Sequence, residues 1–289
     1  AGAAQAAAST ERHERRAHSR CTVGDREVAL WHVKKDSSVT RLAAALHARI
    51  AGHPPKPGGE SAPRRVLRSS RLPVLESDGT LSLRHAVHAI AMCNEFLDGM
   101  RDQRKRLAFA PVVHVVVKRH LADGPLPSAD ADAAPPAPPV AQPKRKMRFH
   151  LRLVTAPSPP AVSAAPAEEA AVEAERDRAE GDAIRVAPDT DMVRLSGTIS
   201  SRWKALELGL AEGVAVRAVG YEAVETMVRA LAMSWLEGAR AYHGDYSSAG
   251  FGCLPTQLAL PRTGAEAPEE AGRVVRGVHC VLVHPEEAP

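Results

Sequence analysis

At 289 residues, with 44% hydrophobic and 25% charged side chains, the chain suits one or two ordinary soluble domains, and no apolar run approaches the roughly 20 residues that span a bilayer. Aromatic residues make up only 3%, so the core must come from Val, Leu and Ala, with part of the chain left as tail or linker. The formal charge of +4 hides an asymmetry: residues 1–156 carry 26 Lys and Arg against 14 Asp and Glu, and residues 157–289 carry 12 against 20, halves of +12 and −8.

Residues 1–25, opening "AGAAQAAASTERHERRAHSR", read as a disordered basic tail. They are similar to the remainder of an organellar presequence and turn the expected location toward the mitochondrial matrix, with cytoplasm and nucleus as alternatives. "EVALWHV" then alternates as a strand does. Asp36, Ser37 or Ser38 can cap the next helix, in which Val39, Leu42, Leu46 and Ile50 recur at helical spacing. Lys34 and Lys35 stand where strand becomes helix, a joint that collects backbone N–H groups and the positive end of a helix dipole. Two cations there suit an expected anion.

"GHPPKPGGESAP" breaks the chain, and "RRVLRSSRLPVL" reads as a short basic strand. Leu83, Val87, Ile90 and Leu97 mark a second helix, and the β-branched "RLAFAPVVHVVVKR" reads as a third strand. Residues 121–145 are rich in Pro and Ala, a solvated loop. Beyond it "MRFHLRL" sets Met147, Phe149, Leu151 and Leu153 against Arg148, His150 and Arg152, a half-buried strand with a basic outer face.

Residues 157–188 read as a linker, in which "EEAAVEAERDRAE" can form an exposed charged helix. From residue 189 the order of elements recurs. "DMVRLSGTI" reads as a strand, and "SSRWKALELGLAEG" as a helix with Trp203, Leu206 and Leu210 inward. "VAVRAVG" reads as a strand, and "YEAVETMVRALAMSWLEGARAY" as a helix with Val224, Met227, Leu231 and Trp235 on one face. "GFGCLPTQLALPRT" and "RVVRGVHCVLVHP" are strands around the acidic "GAEAPEEAG". The expected fold class is α+β: two β-α-β-α-β-β domains in tandem, over residues 26–156 and 189–289.

In that order, "EVALWHVKKDSSVTRLAAAL" resembles the opening strand, paired lysines and helix of the Alba superfamily. "GTLSLRHAVHAIAMCNEFL" is similar to its second helix, and "VVHVVV" with "MRFHLRL" to its terminal hairpin. The second half is similar to stage V sporulation protein S, a bacterial relative of that fold. The resemblance implies tandem Alba-like domains that bind RNA or DNA through the first loop, the second strand and the hairpin, often as a dimer. By position it puts phosphate contacts at Lys34 and Lys35, with Arg68 and Arg71 on or after the second strand and Arg84 opening the second helix. The run "KRKMRFHLR" brings Lys144, Arg145, Lys146, Arg148 and Arg152 to the same basic domain. At the joint corresponding to the lysine pair the second half reads "SGTISSRWK", with Arg202 and Lys204 inside a helix. Weak nucleic-acid binding is expected there.

Other chemistry finds less support. His85 and His88 fall three apart on one helix, with Cys93 five residues beyond, and His279 and Cys280 on opposite faces of a strand. No four Cys or His ligands converge, so no metal or other cofactor is expected. Cys21, Cys93, Cys253 and Cys280 form no CxxC pair, which fits free thiols in a reducing compartment. No GxSxG, P-loop or GxGxxG is present, and Asp191, Glu222 and Glu225 lack a partner that would tune them, so no enzyme is expected. The leading expectation is an RNA-binding subunit of a large ribonucleoprotein, first of all a mitochondrial ribosome with rRNA as ligand. Its second domain and linkers would meet other proteins or complete an intramolecular pseudo-dimer. A subunit of an RNA-processing particle of the ribonuclease P or RNA-editing kind, a DNA-packaging protein and a protein-interaction scaffold are the competing readings.

Overall fold

The computed structural model describes residues 19–23, 26–51, 72–98, 105–116, 144–155, 183–211, 213–241, 250–261 and 274–284. In the first half these form β1 (Ser19–Val23), β2 (Arg26–Val33), α1 (Val39–Ala51), β3 (Val74–Ser77), α2 (Thr80–Asp98), β4 (Lys105–Val116) and β5 (Lys144–Thr155). The second half supplies β6 (Ile184–Val186), α3 (Met192–Glu207), β7 (Ala215–Val219), α4 (Tyr221–Ala241), β8 (Gly252–Pro261) and β9 (Val274–Val283). Among the described residues the architecture is α+β: four helices and one nine-stranded mixed sheet, ordered β1-β2-β3-β5-β4-β8-β9-β7-β6.

The strand pairing repeats. In the first half β2 runs parallel to β3, β3 antiparallel to β5 and β5 antiparallel to β4. In the second, β6 is parallel to β7, β7 antiparallel to β9 and β9 antiparallel to β8. The registers set corresponding rows: Leu75, Phe149 and Pro111 in one half, Val216, Cys280 and Pro255 in the other. The halves join edge to edge where Phe109 of β4 pairs with Cys253 of β8. Both lie two residues before the corresponding prolines, so an approximate internal twofold passes through this pair.

Period-two alternation sends Leu75, Phe109, Phe149 and Leu151 to the face that the helices cover, where all are buried. Burying side chains of that size contributes about 1.5–3 kcal/mol each. The core is continuous across the seam, because α2 packs on β8 and α4 on β4. Asn94 of α2 ties the halves: its Nδ2 donates to the carbonyls of Leu107 (3.0 Å) and Pro255 (3.2 Å), and its Oδ1 accepts from the Leu107 N–H (2.7 Å). The helices meet about the same twofold. The Arg84 guanidinium lies 3.5 Å above the Tyr221 ring, and in the mirrored position Thr80 Oγ1 donates to Glu225 at 2.5 Å.

Five sequence expectations change. The segment expected as tail holds β1, which pairs with β2 in register Cys21–Val28 and covers an otherwise open edge. The expected linker to residue 188 holds β6, three residues long. "DMVRLSGTI" is not a strand but the start of α3: Asp191 Oδ1 accepts from the Arg194 N–H at 2.8 Å, and Leu195, Ile199 and Trp203 recur every four residues into the core. Leu210, expected inward, lies past the helix end and is 77% exposed. The expected loop 121–145 ends two residues early, since β5 begins at Lys144. The expected helix in "EEAAVEAERDRAE" lies outside the described residues.

Candidate nucleic-acid interface

β2 ends at Val33, and the next five residues turn the chain into α1. The Ser37 N–H donates to the Lys34 carbonyl (3.1 Å), and the Lys34 N–H donates to Ser37 Oγ (2.9 Å). Ser38 Oγ accepts from the Arg41 N–H (3.3 Å), which makes Ser38 the cap of α1 rather than Asp36. With the serines satisfying the local backbone, Lys34, Lys35 and Asp36 all project into solvent. Neither lysine has an ion pair among the described residues.

The sheet brings further cations to this end. Val33, Ser77 and Met147 form one row, so the next step along places Lys34, Asp78 and Lys146 together. Lys144 Nζ lies 2.5 Å from Asp78 Oδ2. Lys146 Nζ lies 2.5 Å from Glu76 Oε1, and Arg148 Nε donates to Glu76 Oε2 at 2.9 Å. His32 Nδ1 completes the group at 3.2 Å from Glu76. Glu76 is buried, which pushes its pKa up, but the hydrogen bonds and charges of Lys146 and Arg148 outweigh burial and hold it below the usual carboxylate range. The Lys144 hydrogen bond holds Asp78 down in the same way.

The expected contact residues therefore divide. Lys34, Lys35 and Arg145 are exposed and without ion pairs among the described residues. Lys144, Lys146 and Arg148 already hold carboxylates. Together these six cations exceed Asp36, Glu76 and Asp78 by three charges. Arg152 stands four residues beyond Arg148 along β5, about 13 Å away, in the row of Ala108. Partial burial lowers its pKa. Arg84 is half-buried on Tyr221 at the crossing of α2 and α4, away from this group. Arg68 and Arg71 lie outside the described residues.

Sequence reasoning missed Glu76, the hub of the network, and His114, which faces Lys146 across the β4–β5 pair. Burial first, then the charge of Arg148, pushes the His114 pKa down. Glu76 is the one charged residue of "VLES", but only the strand register shows that it meets Arg148.

The second half repeats the turn without its charge. Thr190 N–H donates to the Ala187 carbonyl (3.1 Å), Ala187 N–H to Thr190 Oγ1 (2.8 Å), and Arg194 N–H to Asp191 (2.8 Å), bond for bond as around Lys34. Ala187 and Pro188 stand in the places of Lys34 and Lys35. The corresponding joint is thus "VAPDTD", not "SGTISSRWK"; Arg202 and Lys204 lie in the later turns of α3. Arg217 and His279 occupy the places of Glu76 and Arg148, so the carboxylate hub is missing as well.

Chemically, the sheet end can neutralise and hydrogen-bond phosphate oxygens. The thiols elsewhere are poor nucleophiles, since burial pushes Cys93 up to about 12 and raises Cys253 and Cys280 too. Compared with known protein families, characterised proteins and solved structures, the chain matches none.

Proposed function

We propose that the chain binds RNA without catalysing a reaction, as a subunit of a ribonucleoprotein, through the sheet end that carries Lys34, Lys35 and Arg145. In this reading its halves are tandem Alba-like units, fused into an intramolecular pseudo-dimer in which one unit has kept the lysine pair. The observation that carries the proposal is the set of three exposed cations without ion pairs among the described residues, at one end of a sheet with three positive charges in excess. Repetition of the strand order in both halves supports the tandem reading.

Base stacking has little to work with. Among the described residues Phe109, Phe149, Phe251, Trp203 and Trp235 are buried; of the exposed rings, Tyr221 has Arg84 stacked over one face and Phe96 meets His47 edge-on. Structured or duplex RNA, recognised by shape and phosphate charge, fits better than a single strand read base by base.

Filter binding of the full chain to duplex RNA and duplex DNA of equal length, over a range of salt, tests this. The expected result is tighter binding to RNA, indifferent to sequence, with log affinity falling linearly against log salt. A preference for DNA would favour the packaging reading. Absence of salt-dependent affinity for either would favour a protein scaffold.

A further inference from the structure

A cleft lies between a helix of one half and the hairpin of the other, and the internal twofold that relates the halves sets a second group of residues in the corresponding position. In the cleft, Arg229 of α4 lies with Val113, Arg145 and Met147 near the start of α2 at Gly79. The strand registers make Gln257, Arg276 and Val278 the counterparts of Val113, Arg145 and Met147, and the matched contacts Arg84–Tyr221 and Glu225–Thr80 make His88 that of Arg229, near the start of α4 at Gly220. The Asn94 bond to Pro255 fixes α2 along β8. From that anchor, six helical residues reach His88 in about 9 Å, and two strand residues reach Gln257 in about 7 Å. Ten helical residues, about 15 Å, reach Arg84, level with Ala259 and its partner Arg276.

The two groups differ in charge. The first contains Asp78, and its Arg229 is held by Glu225 at 2.8 Å. In the second, Val219 replaces Asp78, Arg84 replaces Glu225 and His88 replaces Arg229. The groups acting on Arg84 and His88 are Tyr221, Arg276 and His85, with no carboxylate among them. Glu222, in the first turn of α4, is exposed. The positive end of the 21-residue α4 adds to the same field.

Three polar atoms in this region have no hydrogen-bond partner among the described residues: His88 Nε2, His85 Nδ1 and Gln257 Nε2. His88 is only 5% exposed. A buried polar group left unpaired costs about 1–3 kcal/mol, and such groups are rare in native structures without a reason. An anion would accept from the Gln257 amide, from the imidazoles in the matching tautomer and from both guanidinium groups.

We propose that this second group forms an oxyanion site that takes a phosphate group, held by Arg84, Arg276, Gln257 and His88. It stands apart from the Lys34 and Lys35 sheet end and does not depend on it. Burial, followed by the charges of Arg84, Arg276 and His85, keeps His88 neutral down to about pH 4. The site therefore offers a hydrogen bond rather than a third cation at that position.

The test is a titration of the full chain, with ring-labelled histidine, by inorganic phosphate at constant ionic strength, followed by NMR of the imidazole signals. The expected result is a saturable shift of His85 and His88 that chloride does not produce. Binding should weaken about tenfold in Arg276→Gln, which loses a charge-assisted hydrogen bond, and also weaken in Gln257→Leu. Lys34→Ala with Lys35→Ala should leave it unchanged. Arg276 is exposed, so its variant keeps the fold, which an unchanged thermal midpoint verifies. Signals unmoved at about 10 mM phosphate, or moved equally in Arg276→Gln, would overturn the proposal. In a second arm, displacement of phosphate by a short duplex RNA assigns the site to a nucleic-acid backbone, and no displacement assigns it to a free phosphate compound.

Discussion

Replacing Glu76 with Gln keeps the shape of a side chain that is 3% exposed and removes the one charge shared by Lys146, Arg148 and His32. The two main partners are themselves mostly covered, at 22% and 19% exposure. Breaking a fully buried ion pair costs about 3–5 kcal/mol, and an exposed one about 0–1. For cations one-fifth exposed, a loss of about 2–3 kcal/mol follows at pH 7. With a urea slope near 2 kcal/mol/M, the unfolding midpoint should fall by about 1 M. RNA affinity should move the other way, because Lys146 and Arg148 become available and the sheet end gains a positive charge. The salt slope should steepen by up to about 0.9. The folded-state pKa of Glu76 is depressed below 4.5, so its stabilisation is complete above that value and fades as pH falls through the folded pKa. The gap between the two proteins should close in acid. A loss below about 0.5 kcal/mol at pH 7, or weaker RNA binding, would refute this account of the hub.

His88 and His150 are both lowered to about 4, by burial first and neighbouring arginines second. Unfolded imidazoles titrate near 6.5, so this stability is fully present above that pH and drains away as pH falls toward 4. The slope approaches about 1.4 kcal/mol per pH unit for each histidine; urea unfolding between pH 7 and 4.5 should show it, flattened in His150→Gln. Asn94→Leu leaves the Leu107 backbone N–H without its buried acceptor and should cost about 2–4 kcal/mol by the same assay. Gly277→Ala would put a Cβ 2.7 Å from the Ala218 carbonyl and should cost about 1–3 kcal/mol, whereas Gly213→Ala meets nothing within 4 Å and should be near neutral in thermal unfolding.

Local periodicity carried most of the elements. Leu83, Val87, Ile90 and Leu97 fall on one helix and are all buried, and Met147, Phe149 and Leu151 alternate into the core as their spacing implies. β6 escaped because three residues, with Arg185 between two apolar neighbours, carry too little pattern to stand out from a linker. Once β6 was missed, "DMVRLSGTI" took its place in the repeat, although Leu195 and Ile199 already had helical spacing. That single shift moved the second joint from Ala187 and Pro188 to Arg202 and Lys204. At the candidate interface, the exposed lysines followed from a turn whose polar residues are adjacent in sequence. The pairing of Lys146 and Arg148 with Glu76 spans about seventy residues and depends on β5 lying beside β3. The seam at Phe109 and Cys253 is likewise invisible to alternation, which tells inside from outside but not which edges meet.

The most direct measurement is the salt dependence of duplex-RNA affinity for the wild-type chain and for the combined Lys34→Ala, Lys35→Ala and Arg145→Ala variant. All three side chains are exposed, so stability should change by less than about 0.5 kcal/mol per site. Each lost phosphate contact should flatten the slope of log affinity against log salt by roughly 0.7–0.9, for a total of about 2–3 across unrelated sequences. A folded variant with unchanged affinity and slope would contradict the assignment of this sheet end to RNA.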